Sequence, residues 1–225
     1  MEPVLIIRQL AIVAVPILIA IVLHEISHGY VANKLGDPTA KMMGRLTLNP
    51  IAHIDIFGTV LMPIMIFILT SGQFVFGYAK PVPINPYNFK NPKRDMAISA
   101  VAGPATNIAL AILSIILLRY IITPVASFVP DDIAAMLFKP LEMMLTASIT
   151  INVILATFNM MPIPPLDGGR VLMGLLPHRY SEALGKIEPY GMIIILVLLI
   201  TGIASYFILP IISIIMGILE MLFPK

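Results

Sequence analysis

The sequence predicts an all-α polytopic membrane protein with about five to six transmembrane segments, a re-entrant segment and a short membrane-associated strand region. Three observations carry this expectation. Of the 225 residues, 59% are hydrophobic and 12% charged, with a mean hydropathy of +0.98, whereas soluble domains hold about 25% charged residues. Apolar runs of the roughly 20 residues needed to cross a bilayer recur along the chain. Twenty Pro and fourteen Gly in so apolar a chain require segments that break or turn inside the protein.

The first run covers 4–32. No basic region precedes it and no small-residue cleavage site follows, so it is expected to be retained rather than removed as a signal peptide. The run 56–70 is apolar but short, with Gly58 at its start, Pro63 inside and Ser71-Gly72 at its end. It suits a re-entrant segment better than a crossing. Runs 97–122 and 141–160 are full spans, and 189–206 and 207–223, divided only by Tyr206 and Pro210, are expected to form a tight hairpin. The connections 33–55, 71–96, 123–140 and 161–188 leave no room for a soluble domain. The chain therefore reads as one membrane-embedded domain over 1–225, with a core of about 4–178 and a helical hairpin at about 189–223.

Basic loops mark the cytoplasmic face. Lys34, Lys41 and Arg45 lie in the first connection, Lys80, Lys90, Lys93 and Arg94 in the second, and Arg170, Arg179 and Lys186 in the last; 123–140 carries Lys139 against Asp131 and Asp132. A re-entrant 56–70 puts the three basic loops on one face and the acidic loop on the other. The protein is expected in the cell membrane, in contact with lipid. A net charge of +2 and the lack of any basic run interleaved with aromatics exclude nucleic acid as a partner. With no Cys there is neither disulfide nor thiolate site, so any metal must rest on His, Asp or Glu. Four His are available: His24, His28, His53 and His178.

The first run ends His24-Glu25-Ile26-Ser27-His28. Ionisable groups inside a span cost several kcal/mol, on the order of 3 or more, and are functional by default. On a helix, positions i and i+4 share a face, which brings both imidazoles to one ion with Glu25 beside it. That is the metal-hydrolase arrangement of two His ligands and a Glu base. HExxH also arises by chance, but seldom inside an apolar span. Catalytic zinc usually takes three protein ligands. Asp167, in Pro162-Ile163-Pro164-Pro165-Leu166-Asp167-Gly168-Gly169, is the best candidate for the third, since it sits at a span mouth in a stretch that cannot be regular helix. A simple helix-ending turn is its plain alternative. His53 is the rival ligand, and His178 is taken as structural. Of the Asn within spans, Asn152 is expected to bond another helix, whereas Asn107 and Asn159 are candidates to contact the substrate backbone or a developing oxyanion.

These motifs taken together resemble the site-2 protease family of intramembrane zinc metalloproteases. They are His24-Glu25-x-x-His28, Gly103-Pro104-x-x-Asn107, and Asn159-x-x-Pro162 leading to Leu166-Asp167-Gly168, in that order at span ends. The connections Leu35-Gly36-Asp37-Pro38, Gly44-Arg45-Leu46-Thr47-Leu48-Asn49-Pro50, His53-Ile54-Asp55 and Ala79-Lys80-Pro81-Val82-Pro83 look like its compact prokaryotic branch, without a PDZ or CBS module. The resemblance implies one Zn2+ per chain held by His24, His28 and Asp167, with Glu25 as catalytic base and Asn107 and Asn159 binding substrate. It implies regulated intramembrane proteolysis of a membrane protein or membrane-retained peptide, with the active site toward the cytoplasmic side.

An unwound substrate needs new hydrogen-bond partners in a dry site, and segment 41–48 is the candidate strand edge to supply them. A membrane metal carrier or sensor is the competing function. It would need the same ligands but no positioned base, and would want polar residues along a whole path; 189–219 holds no ionisable residue besides Tyr190 and Tyr206, which argues against such a path.

Overall fold

The computed structural model describes residues 3–69 and 77–224. All regular structure in them is helical. Among the described residues four helices are long and apolar enough to cross a membrane: Ile12–Lys34 within α1 (Pro3–Lys34), Pro92–Ala126, Asp131–Asn159 and Ile203–Leu222. The second combines α4 (Pro92–Leu117), a π-helical turn Leu118–Ile122 and α5 (Thr123–Ala126). The third combines α6 (Asp131–Ile133), a second π-helical turn Ala134–Phe138 and α7 (Lys139–Asn159). Short helices α2 (Thr39–Met42) and α3 (Met62–Leu69) lie between α1 and α4. After α7 come α8 (Asp167–Leu175), α9 (His178–Gly185), α10 (Glu188–Ile200) and α11 (Ile203–Leu222).

Helices α1, α4 and α7 pack on one another through small residues, with Ala20, Ala100, Ala111 and Ala156 all nearly or fully inaccessible. Small side chains let helix backbones approach where no hydrophobic effect drives association. Hydroxyl pairs add to the contact: Ser27 Oγ lies 2.7 Å from Thr106 Oγ1, and Ser114 Oγ 2.8 Å from Ser148 Oγ. The order of contacts fixes direction. His28 meets Ser99, whereas Ala20 meets Asn107, so α1 and α4 are antiparallel. Asn107 meets Asn152 and Ser114 meets Ser148, so α7 is antiparallel to α4. The end of α1, the start of α4 and the end of α7 therefore share one end of the bundle. Outward-facing Leu18, Ile19, Ile98, Leu113 and Ile154 stay exposed, as lipid-facing residues do. The protein is a multi-pass membrane protein.

The described part of the 56–70 run is helical. It forms a π-helical turn, Ile56–Leu61, followed by α3. Tyr78 N–H donates to Gly58 O at 3.0 Å, and Thr59 Oγ1 donates to Tyr78 O at 2.9 Å. Residues 58 and 59 and Tyr78 are thus hydrogen-bonded neighbours. Residue 70 of the expected run and its exit at Ser71-Gly72 lie outside the described residues.

Two expectations are corrected. Segment 41–48 is not a strand: it begins inside α2, which starts after Pro38, and continues as turns around Gly44 at φ +65°. No strand occurs among the described residues; the extended stretch near the site is 77–85 instead. The C-terminal pair is also not a hairpin split at Tyr206 and Pro210, since both residues lie inside α11. The break is at Gly202, in the left-handed region at φ +75°, where glycine carries no Cβ penalty.

α10 has 13 residues, about 20 Å at 1.5 Å per residue, less than the roughly 30 Å hydrocarbon core. It meets α9 at 67°. Ala204 and Ile208 border a cavity with Met160, Met161 and Pro104, whereas Leu219 packs with Ala111 and Ile115. α11 therefore runs parallel to α4, and 160–202 begins and ends at the same end of the bundle. That cavity, about 570 Å³, is lined almost wholly by apolar residues of α4, α7, the turn 160–163, α10 and α11.

Candidate metal centre

His24 and His28, one turn apart on α1, face α4 and the start of α8. Their Nε2 atoms lie 3.0 Å apart, and Oδ2 of Asp167 is 3.2 Å from each. All three residues are buried. Among the described residues this is the one group of three His or carboxylate side chains able to hold a metal. The sequence-predicted set is therefore brought together from helices 139 residues apart in the chain, His28 to Asp167. Glycines make the approach possible. A Cβ on Gly103 would sit 2.4 Å from His28 Nε2 and 2.6 Å from His24 Nε2; one on Gly168 would sit 2.2 Å from Met160 O.

Hydrogen bonds set the tautomers. His28 Nδ1 is 2.7 Å from Ser99 O, an atom that can only accept, so Nδ1 carries the proton. His24 Nδ1 is 2.6 Å from Asn107 Oδ1. The Asn107 amide nitrogen is committed elsewhere, donating to Asn152 Oδ1 at 2.8 Å, and Asn152 Nδ2 donates in turn to Ser148 O at 2.8 Å. This chain orients the Asn107 oxygen toward His24, which must donate. With both imidazoles neutral, each Nε2 presents a lone pair to the same point, and a buried Asp167 Oδ2 joins them without a hydrogen-bond donor.

Three lone-pair atoms converging in a buried space repel unless a cation lies between them. A tetrahedral zinc with bonds of about 2.05 Å has ligand–ligand edges of about 3.3 Å, close to the separations found. The donor set fits zinc.

Glu25, between the two His on α1, accepts from Val82 N–H at 2.7 Å through Oε2. His53, the rival ligand, is remote from the cluster; its Nε2 lies 2.9 Å from Thr47 O. His178 is exposed and pairs with Glu182 at 3.5 Å. Asn152 bonds a neighbouring helix, as expected. Asn107, expected at the substrate, is fully buried with both ends of its amide occupied; the structure gives it a ligand imidazole to hold. Asn159 is half-buried, and its Nδ2 donates to Leu155 O at 2.9 Å.

Val82 reaches the site through its backbone N–H and carries no side-chain signal in the sequence; Ser99 meets His28 through both its backbone O and its Oγ, which donates to His28 O at 3.0 Å. Ser99, Gly103 and Asn107 do recur at i+4 spacing on α4, a polar and small stripe in an apolar helix that marks one face.

The sequence profile of peptidase family M50 matches residues 12–202. YwhC of Bacillus subtilis, named as a candidate zinc metalloprotease, is 37% identical over 203 residues, covering 88% of this chain and 84% of its own. Rip2 of Mycolicibacterium smegmatis, with the same kind of name, is 30% identical over 201 residues, 87% of this chain and 71% of its own. MJ0392 of Methanocaldococcus jannaschii, named as a zinc metalloprotease, is 23% identical over 171 residues, 76% of this chain and 36% of its own. No solved structure matches.

Proposed function

Because this chain belongs to peptidase family M50 and is a membrane zinc metalloprotease, we propose that it hydrolyses peptide bonds within or near transmembrane segments of membrane proteins or membrane-retained peptides, as in regulated intramembrane proteolysis. The observation that carries this reading is the convergence of His24 Nε2, His28 Nε2 and Asp167 Oδ2 inside a bundle of apolar helices.

In this reading His24, His28 and Asp167 hold one zinc ion. Zinc supplies Lewis acidity toward a carbonyl oxygen and makes water easier to deprotonate. Glu25 takes the proton of the attacking water and returns it to the leaving amine. Asn107 holds His24 in the tautomer that binds, through the donor it accepts, and Ser99 does the same for His28. Asn159, at the end of α7 before the turn to Asp167, is the residue proposed to meet the substrate strand. A carrier or sensor would use the same ligands without Glu25, whose carboxylate is held by a dedicated backbone contact.

The active site is proposed to face the cytoplasm. Its end of the bundle bears Lys34, Lys41, Arg45, Lys90, Lys93 and Arg94, against Arg8, Arg119 and Lys139 beside Asp131 and Asp132 at the other.

Elemental analysis of detergent-purified protein tests the ligand set. Wild type, His53→Ala and Glu25→Gln are expected near one zinc per chain, and His24→Ala and Asp167→Ala near none. Loss in His53→Ala with retention in Asp167→Ala would refute the set. Glu25→Gln is expected to lose about 100-fold or more of hydrolysis, the usual contribution of a general base.

A further inference from the structure

The extended stretch 77–85 lies across the C-terminal half of α1 and is fastened at residues 78, 80, 82 and 85. Tyr78 N–H donates to Gly58 O at 3.0 Å, and Lys80 N–H to His53 O at 2.9 Å. Lys80 O accepts from Arg45 Nη2 at 2.8 Å, and Asn85 N–H donates to Asp37 Oδ2 at 2.7 Å. Val82 falls in the middle of this series, and its N–H is the one that reaches Glu25 Oε2. The Val82 side chain is seated on α1, 5% exposed, in the space that Gly29 leaves: a Cβ there would lie 2.7 Å from Val82 Cγ1. Pro81 and Pro83 flank it. Each has a fixed φ and no N–H, so the stretch can neither curl into helix nor slide to offer a neighbouring amide.

We propose that this strap is the positioning device of Glu25. The Val82 amide anchors one carboxylate oxygen, and Arg45, through the Lys80 carbonyl, is a positioning residue that keeps the amide in place. The inference rests on the reading of Glu25 as the general base. A glutamate on an isolated helix turns about three side-chain bonds and sweeps a wide arc. With Oε2 tied to a backbone that is itself held from both sides, the carboxylate keeps one orientation and Oε1 is left to meet water. Oε1 accepts no hydrogen bond among the described residues. Fixing a reacting group in advance removes an entropic part of the barrier. A strap tied to α1, to the first connection and to the re-entrant turn is an anchored part of the site and not a displaceable plug.

The test has two readouts. Within Pro81-Val82-Pro83 the only backbone amide is that of Val82, so hydrogen exchange of this segment reads the contact directly. Exchange is expected to be at least tenfold faster in Glu25→Ala than in wild type; equal exchange overturns the proposal. The second readout is turnover of fluorescein-labelled casein by the zinc-loaded, detergent-solubilised protein. Val82→Pro removes the N–H and is expected to lower kcat at least tenfold, with KM within twofold and zinc content as in wild type. Val82→Ala keeps the N–H and is expected to fall less than threefold.

Equal losses in both variants, or an unchanged kcat in Val82→Pro, overturn the proposal. Should Val82→Pro not fold, Arg45→Ala against the conservative Arg45→Lys decides in the same terms: a kcat loss that Lys restores supports positioning, and a loss of zinc or of folding yield overturns it. Glu25→Gln separates the two readings. At wild-type turnover it removes Glu25 from the chemistry, and the present inference with it; inactive beside a fully active Val82→Pro, it leaves the base in place and removes only the strap's role.

Discussion

Gly103 offers a sharp test of the metal centre, because replacing it by Ala should separate folding from metal binding. The added methyl would lie 2.4 Å from His28 Nε2 and 2.6 Å from both Cε1 and Nε2 of His24, where ordinary contact begins at 3.4 Å. The imidazoles must therefore retreat by about 1 Å, whereas metal–ligand distances tolerate only about 0.2 Å. Neither ring can yield freely, since Nδ1 of each is tied, one to Asn107 and the other to Ser99. The helix itself gains, for Ala is better than Gly in a helix interior by about 1 kcal/mol.

The metal-free Gly103→Ala protein is thus expected to melt at or near the wild-type temperature in detergent, by far-ultraviolet circular dichroism. Its zinc affinity, measured by competition with a chromophoric chelator, is expected to fall about 100-fold or more, the scale of a 1 Å misplacement. Wild-type zinc affinity in Gly103→Ala would refute the geometry argued here, and so would a loss of affinity matched by a collapse of the metal-free fold.

Further outcomes follow from the same contacts. Asn107→Leu removes the acceptor that fixes the His24 tautomer, so zinc affinity should fall about 10- to 100-fold by the same competition assay, whereas Asn107→Asp keeps an acceptor and should retain most of it. Asp37 is buried, and although burial raises its pKa, donors from Asn88, Thr39 and Asn85 outweigh this and hold it below the ordinary carboxylate value. Its stabilising contribution is then present above the unfolded-state pKa of about 3.9 and lost as pH falls through the lower folded value. Asp37→Asn should lower Tm by about 5 °C at pH 7, and the gap from wild type should close in thermal melts at progressively more acidic pH.

The ligand set was legible because its logic is local: two His one helical turn apart inside an apolar span, and an Asp where proline and glycine forbid regular helix. What joins them is not local. Asn107 reads as a polar residue in a membrane helix, and nothing near it in sequence says that its partner is His24, 83 residues earlier. Val82 acts through its backbone N–H, which no side-chain pattern reports. Hydropathy likewise gives the length of an apolar run but not its direction. It divided the last runs at Tyr206 and Pro210, although proline is tolerated inside an apolar helix and the turn is made by Gly202. The strand expected at 41–48 failed because Pro38 opens a helical turn there. The extended stretch formed instead around Pro81 and Pro83, where φ is fixed and helix is excluded.

The closure of residues 58 and 59 onto Tyr78 has a consequence for how such a protein can diversify. Where the two ends of an excursion are bonded to each other, its length ceases to matter to the rest of the chain. Doubling a loop adds only about 0.6 kcal/mol of closure entropy, and the neighbouring metal ligands stay where the helices put them. The stretch between Thr59 and Tyr78 is thus a natural point of insertion, where relatives can lengthen, shorten or exchange a module while inheriting the same reaction centre.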